Sequence, residues 1–312
     1  MRAAVLPAHG AVPEVVEFRD PVAETGAEVL EIEAAGMNPI DVRIATGAFP
    51  RERYETPYVA GKEGIGRRAD GSRLYFDFSR KPFGAFAERT LIDTGAGYPV
   101  PDGLDAALAV CLGVSGLAAW LSLEWRGRLE PGESVLVLGA TGVVGQIAVQ
   151  AARLLGAGRV VAAGRDEAAL ARAESLGADA CVRLAGEDVP GALRAASRGD
   201  GFDLVLDPLW GEPAVAAIAA VKPFGRVVNM GQSAGAEASL ASAAVRNTPI
   251  DLLGYTNYTA GEERKAAAYE RLASHALRGE IRVEIERLGL DDVPDAWQRQ
   301  GTSPHAKLVV LP

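Results

Sequence analysis

The sequence predicts an α/β protein of two domains, one a parallel sheet flanked by helices and the other a small barrel-like or sandwich-like β domain. Three observations lead there. Ser134-Val135-Leu136-Val137-Leu138 is a continuous apolar β run, the composition of a strand buried on both faces. A glycine-rich turn, Gly139-Ala140-Thr141-Gly142-Val143-Val144-Gly145, follows it without a break. Strands then alternate with helical stretches across residues 116–259, the pattern of βαβ units, whereas residues 1–115 read as short strands broken by turn residues. The 312 residues suit two domains at about 150 residues each.

In the first section, residues 3–6 and 28–34 are candidate strands, the second alternating polar and apolar side chains, and residues 85–92 form another. Gly26, Gly36, Pro39, Gly47, Pro50, Gly61, Gly64, Gly66 and Gly71 punctuate the chain between them. In the second section the patterning predicts strands over 134–138, 159–163, 179–182, 203–207 and 226–230, with helices over 143–155 and 167–176. The last section opens with an amphipathic helix over 260–278. It ends in a strand pair, 282–286 and 307–311, whose final member returns to the first domain. The expected division is residues 1–115 with 260–312 as one domain and 116–259 as the other.

Composition narrows the function classes. The formal net charge of −9 argues against a nucleic-acid-binding protein, which carries a basic patch or stripe. Cys111 and Cys181 lie far apart in apolar stretches and read as buried thiols, so no disulfide framework is expected and a reducing, cytoplasmic compartment is favoured. His9, His275 and His305 are scattered, and no set of zinc ligands is visible. The apolar run at residues 1–6 is too short for a leader, and nothing is expected to span a membrane.

The sharpest local feature is the turn at residues 139–145, between a buried strand and a helix. Such a turn needs one residue tolerant of positive φ and one without a Cβ, so that a pyrophosphate can reach the backbone. A third glycine lets helix and strand pack closely. The helix start then offers free N–H groups and a positive dipole end. Gly139, Ala140, Thr141, Gly142, Val143, Val144 and Gly145 are therefore cofactor-binding candidates. About 20 residues on, an NAD site typically places an acidic residue on the ribose. Here the chain reads Gly164-Arg165-Asp166, with Arg183 after the next strand. Gly164 leaves room, and the two arginines suit a 2′-phosphate. Asp166, ahead of Glu167 and an apolar period, reads as a helix cap. The expected cofactor is NADP(H).

These residues resemble the zinc-independent quinone oxidoreductase branch of the medium-chain dehydrogenase/reductase superfamily. Gly36-Met37-Asn38-Pro39-Ile40-Asp41 is similar to its Asn-Pro-x-Asp segment, Gly61-Lys62-Glu63-Gly64-Ile65-Gly66 to its Gly-x-Glu-Gly-x-Gly segment, and Gly84-Ala85-Phe86-Ala87-Glu88 and Gly116-Leu117-Ala118-Ala119-Trp120 to two further segments. Leu129-Glu130-Pro131-Gly132-Glu133, Asp207-Pro208-Leu209-Trp210-Gly211 and Gly225-Arg226-Val227-Val228-Asn229-Met230-Gly231 follow in family order. The resemblance implies a Rossmann domain plus a GroES-like β-barrel-type catalytic domain. Zinc-dependent relatives carry Cys at the place of Asn38 and His at the place of Lys62, so no metal is expected. Phe49 stands at the family's tyrosine position, Ala118 at a threonine position, and Val143 at the middle glycine of the turn.

The implied activity is NADPH-dependent hydride transfer to a quinone or an activated C=C bond of a small-molecule substrate. The rival readings are a zinc-free alcohol or ketone oxidoreductase and a cofactor-binding protein with little turnover. Asn38 is the leading candidate to contact the nicotinamide ribose or a substrate oxygen, with Tyr54 as a substitute proton donor. Leu209, Met230, Gly231, Gln232, Tyr255 and Lys307 complete the expected cofactor contacts. The resemblance also implies a homodimer, for which an edge strand near residues 251–255 is the candidate interface.

Overall fold

The Ser134–Leu138 strand occupies the middle of a six-stranded parallel sheet, ordered Ala180–Arg183, Arg159–Gly164, Ser134–Leu138, Phe202–Asp207, Val221–Asn229, Asp251–Gly254. Its neighbours supply Val161, Ala163, Val205 and Val227 to the same fully dehydrated core as Leu136 and Leu138. This explains why the run carries no polar alternation. Strand order reverses between Ser134–Leu138 and Phe202–Asp207, so their carboxyl ends flank the crevice where such sheets take ligands.

This computed structural model describes all 312 residues in two units. The sheet belongs to the unit formed by Ser115–Ala268 with Glu280–Arg282; the other comprises Met1–Val114, Tyr269–Gly279 and Val283–Pro312. The second boundary lies later than residue 260 and divides the Glu262–Leu277 helix. Tyr269 draws its second half into the β unit, since its ring stacks on Tyr75 and its hydroxyl donates to the Ala109 carbonyl at 3.1 Å. Arg282 goes the other way, because its backbone N–H and C=O both pair with the Gln150 amide. The strand expected over 282–286 therefore starts only at Ile285.

The β unit is built on a mixed sheet: Ile285–Leu288, Lys307–Val310, Ala27–Gly36, Glu63–Arg67, Arg73–Phe76 and Tyr98–Pro99, with Arg89–Asp93 also pairing with Ala27–Gly36. The C-terminal strand does return, pairing antiparallel at Val309 with Gly36. A smaller sheet joins Glu14–Glu17, Arg2–Leu6 and Tyr58–Val59. The strand expected over 85–92 begins only at Arg89; the stretch before it bonds instead to the 60–61 backbone and bridges Ala3. Patterning missed the short helices Pro39–Ala45 and Val293–Gln300, each opened by a proline in its first turn.

One helical run, Ala106–Arg126, has the length and apolarity to cross a membrane, against the expectation of no such segment; 78% of its most apolar window is buried within the protein. Its backbone breaks at Gly113, where a Cβ would lie 2.0 Å from the Tyr75 ring. Cys111 is buried and Cys181 half-buried, both as free thiols.

Candidate functional site

The predicted residues fall into two sets, one in each unit. In the parallel-sheet unit the turn has the geometry its glycines predict. Gly139 takes φ +60°, and a Cβ on Gly145 would lie 2.3 Å from the Gly139 carbonyl oxygen, so helix and strand touch there. Gly142 precedes the Val143–Leu154 helix without a side-chain cap. A Cβ on Gly142 would meet only the Gly139 oxygen, at 3.6 Å, and otherwise point into open space. That opening before uncapped N–H groups fits a pyrophosphate.

The neighbouring strand ends are arranged around the same crevice. Leu209 and Pro208 lie 3.1 and 3.3 Å from where a Gly139 Cβ would sit, which places them across the switch point from the turn. Gly164 packs against Thr141, whose methyl carbon would lie 2.9 Å from an added Cβ. Arg165 directly follows the Arg159–Gly164 strand and Arg183 ends the adjacent one, both exposed, with Arg183 Nε donating to the Arg165 carbonyl at 3.5 Å. Asp166 caps the following helix, accepting from Ala169 N at 2.7 Å.

Met230 and Gly231 follow their strand half-buried, and Gln232 is exposed. Met230 receives the Ser122 hydroxyl at its sulfur, and Gly231 is kept small by the Pro208 carbonyl oxygen, 2.4 Å from where a Cβ would sit. Tyr255 is buried against Trp125, and its hydroxyl is engaged by Asn257 at 2.7 Å and the Leu117 carbonyl at 3.3 Å. Asp207, a residue to which patterning gave no role, organises these ends. Its carboxylate accepts from Leu209 N, Trp210 N and Asn229 Nδ2, while burial raises its pKa.

In the β unit, Asn38 and Lys307 meet around a carboxylate that sequence reasoning left without a role. Glu63 is fully buried. Its Oε1 accepts from Asn38 Nδ2 at 2.8 Å and Lys307 Nζ at 2.7 Å; its Oε2 accepts from the Tyr75 hydroxyl at 2.9 Å and Val114 N at 2.7 Å. Lys307, 1% exposed, also donates to Asn38 Oδ1 at 2.6 Å. Two charges this deep are tolerable because the carboxylate is satisfied on both oxygens. The amide of Asn38 is thereby fixed, its nitrogen toward Glu63 and Gly36 O and its oxygen toward Lys307. The visible sign in the sequence was a glutamate set among glycines and Ile65 on a strand.

Asp41 links this cluster to a second one. Its two oxygens accept from the backbone N–H groups of Asn38 and Lys62, both at 2.8 Å, and burial pushes its pKa up to about 6 against those bonds. Lys62 pairs with Glu52 at 2.7 Å, and Tyr54 donates to the other Glu52 oxygen at 2.6 Å. Burial, and then the bond to Glu52, raise the Tyr54 pKa. Phe49 is buried, with the Arg43 guanidinium 5.2 Å from its ring centre. No group of three or more His, Cys, Asp or Glu side chains is arranged to hold a metal.

The zinc-binding dehydrogenase family model matches residues 143–274. The chain is 30% identical over 296 residues, 90% of its length, to a phenolphthiocerol/phthiocerol polyketide synthase polypeptide of Mycobacterium tuberculosis, of which it spans 13%. It is 31% identical over 169 residues to the quinone oxidoreductase of Rattus norvegicus, covering half of each chain. Among solved structures, the quinone oxidoreductase from Thermus thermophilus, studied also in complex with NADPH, is 30% identical at a TM-score of 0.84, with both chains covered completely. Together with the two-unit fold and the ordered motifs, this full-length match shows that the chain belongs to the quinone oxidoreductase branch of the medium-chain dehydrogenase/reductase superfamily.

Proposed function

We propose that the protein is an NADPH-dependent reductase of small electron-poor acceptors, a quinone or a C=C bond conjugated to a carbonyl. The observation that carries this reading is the turn at residues 139–145, open before an uncapped helix start and followed at the ends of the next two strands by Arg165 and Arg183. The NADPH complex of the Thermus thermophilus relative supports it. Bound NADPH supplies hydride from its nicotinamide. The chain's own part is to hold it. Backbone N–H groups at Val143 and Val144 receive the pyrophosphate, the Arg165 and Arg183 guanidiniums receive the 2′-phosphate, and Leu209 and Met230 line the crevice. Asp166, engaged in its cap, is not offered to a ribose hydroxyl.

The rat quinone oxidoreductase relative supports a quinone acceptor. An NADPH-oxidation screen over quinones, enones and enoyl thioesters tests the reading. Tight NADPH binding with no turnover across the panel would instead indicate a binding protein, and turnover of simple ketones alone a carbonyl reductase. Arg165→Asp should weaken NADPH at least about tenfold more than NADH, the size of one charge-assisted phosphate contact. A homodimer is proposed through the Asp251–Gly254 edge strand, where Leu252 is 41% exposed; sedimentation of Leu252→Glu tests it. The two free thiols fit a reducing, cytoplasmic setting.

A further inference from the structure

Trp210 has a backbone conformation that suits glycine. It takes φ 56° and ψ −163°, and Gly211 follows it at φ 63°. A bulky residue in this region stores strain, which persists only where the surroundings over-determine the backbone. They do so here. Asp207, fully buried, accepts from Leu209 N and Trp210 N at 2.9 Å each, and its other oxygen accepts from Asn229. Ala234 N donates to the Leu209 carbonyl at 2.8 Å, and a Cβ on Gly211 would lie 3.3 Å from the Ala234 carbonyl oxygen. The core of the parallel sheet does not use the ring that makes this turn costly: Leu209 packs against it and Trp210 does not. The half-buried indole has no hydrogen bond, ring contact or cation of its own.

The position of the residue supplies a use. Trp210 follows the carboxyl end of the Phe202–Asp207 strand, next to Leu209, which lies against Gly139 of the cofactor turn. A groove of about 440 Å³ opens beside it within the same unit. Gly211, Glu212 and Val215 line it from the helix after Trp210, and Pro190 from the start of the Val189–Ala196 helix. The loop after Arg183 leads directly into that second helix, so one end of the groove lies on the arginine side of the crevice. The lining offers apolar carbon and the carboxylates of Glu212 and Glu237, but no cation. It suits a neutral flat ring with an amino donor rather than a phosphate.

We propose that Trp210 is a stacking face for the adenine of NADPH, its strained backbone being the cost of presenting the ring; this rests on the reading of residues 139–145 as the cofactor turn. An indole offers a wide π-face on which a base stacks, and the gain is made only when the dinucleotide is bound. The strain and the ring are separable by substitution. Glycine removes both, alanine removes the ring and keeps the strained backbone, and phenylalanine keeps a ring on that backbone.

The test is calorimetric titration of the full-length protein and its Trp210→Gly, Trp210→Ala and Trp210→Phe variants with NADPH and with adenosine 2′,5′-bisphosphate, which lacks the nicotinamide half. Trp210→Gly and Trp210→Ala should each weaken both ligands by the same factor, at least about fivefold, the weight of one base stacked on an aromatic ring. Trp210→Phe should stay within about threefold of wild type for both. Without ligand, Trp210→Gly should melt at least about 2 °C above Trp210→Ala, because only glycine relieves the backbone. Lost packing alone would not place glycine above alanine. A glycine variant that binds the bisphosphate as wild type does, or an alanine variant that melts as high as the glycine one, overturns the proposal and leaves the NADPH site standing. A loss for NADPH with none for the bisphosphate overturns the adenine assignment. A wild-type protein that binds neither ligand overturns the proposal and the cofactor reading together.

Discussion

At residues 139–145 the groups that matter are backbone and consecutive; around Glu63 they are almost all side chains, gathered from residues 38, 63, 75 and 307. Each arrangement makes polar groups usable in a water-poor setting. The turn does so with glycines, whose missing Cβ atoms create the close contact at Gly145 and the opening at Gly142. The cluster does so by pairing buried charges, each of which needs the others. The first type tolerates change everywhere except at particular glycines, whereas the second loses balance when any member is removed.

The largest effect should come from breaking that balance. Lys307→Met leaves the Glu63 carboxylate buried without its cation and should cost about 3–5 kcal/mol in urea unfolding. Adding Glu63→Gln should restore more than half of that loss; a single variant costing under about 1 kcal/mol would show that the pair is not a unit. In the turn, Gly145→Ala should cost about 3 kcal/mol by forcing a Cβ onto the Gly139 carbonyl oxygen. Gly142→Ala should change stability by less than about 0.5 kcal/mol yet weaken NADPH about tenfold. Similar behaviour of the two variants would break the distinction between the contact and the opening.

A pH series sharpens the comparison further, because no side chain in residues 139–145 titrates whereas Asp41 does. Its folded pKa of about 6 stands above the ordinary 3.8, so the folded state holds the extra proton between those values. The stability that this group contributes is complete below the lower value and is lost as the pH rises through the upper one. The stability of wild type relative to Asp41→Asn should therefore fall by about 2 kcal/mol from pH 4 to 7, while NADPH-turn variants show no such slope. The smallest effect is expected at Asp166→Ala. Loss of its cap to Ala169 should cost about 1 kcal/mol without altering the NADPH to NADH preference. A changed preference would place Asp166 on the ribose after all.

Much of the fold was legible because its markers are local. An unbroken Val/Leu run meant a strand buried on both faces, and the six-stranded sheet has it at the centre. Asp166 ahead of a helical period meant a cap, which it forms. The cluster was only half legible. Asn38 and Lys307 were singled out, but Glu63, which holds them together, stood out only as part of a family-like segment with no role attached, and the Pro39–Ala45 helix that positions Asn38 was too short for periodicity.

The sequence by itself determined the order of strands and helices, the backbone geometry of the cofactor turn and the absence of Cys and His at positions 38 and 62, since each depends on residues adjacent in the chain. Only the tertiary structure decided that Lys307 is buried against a residue 244 positions away, that Tyr54 gives its proton to Glu52, and that the Lys81 ammonium stands over the Tyr54 ring. A side chain's charge state and partners follow from what surrounds it after folding, and in a sheet closed by its last strand those surroundings come from the far ends of the chain.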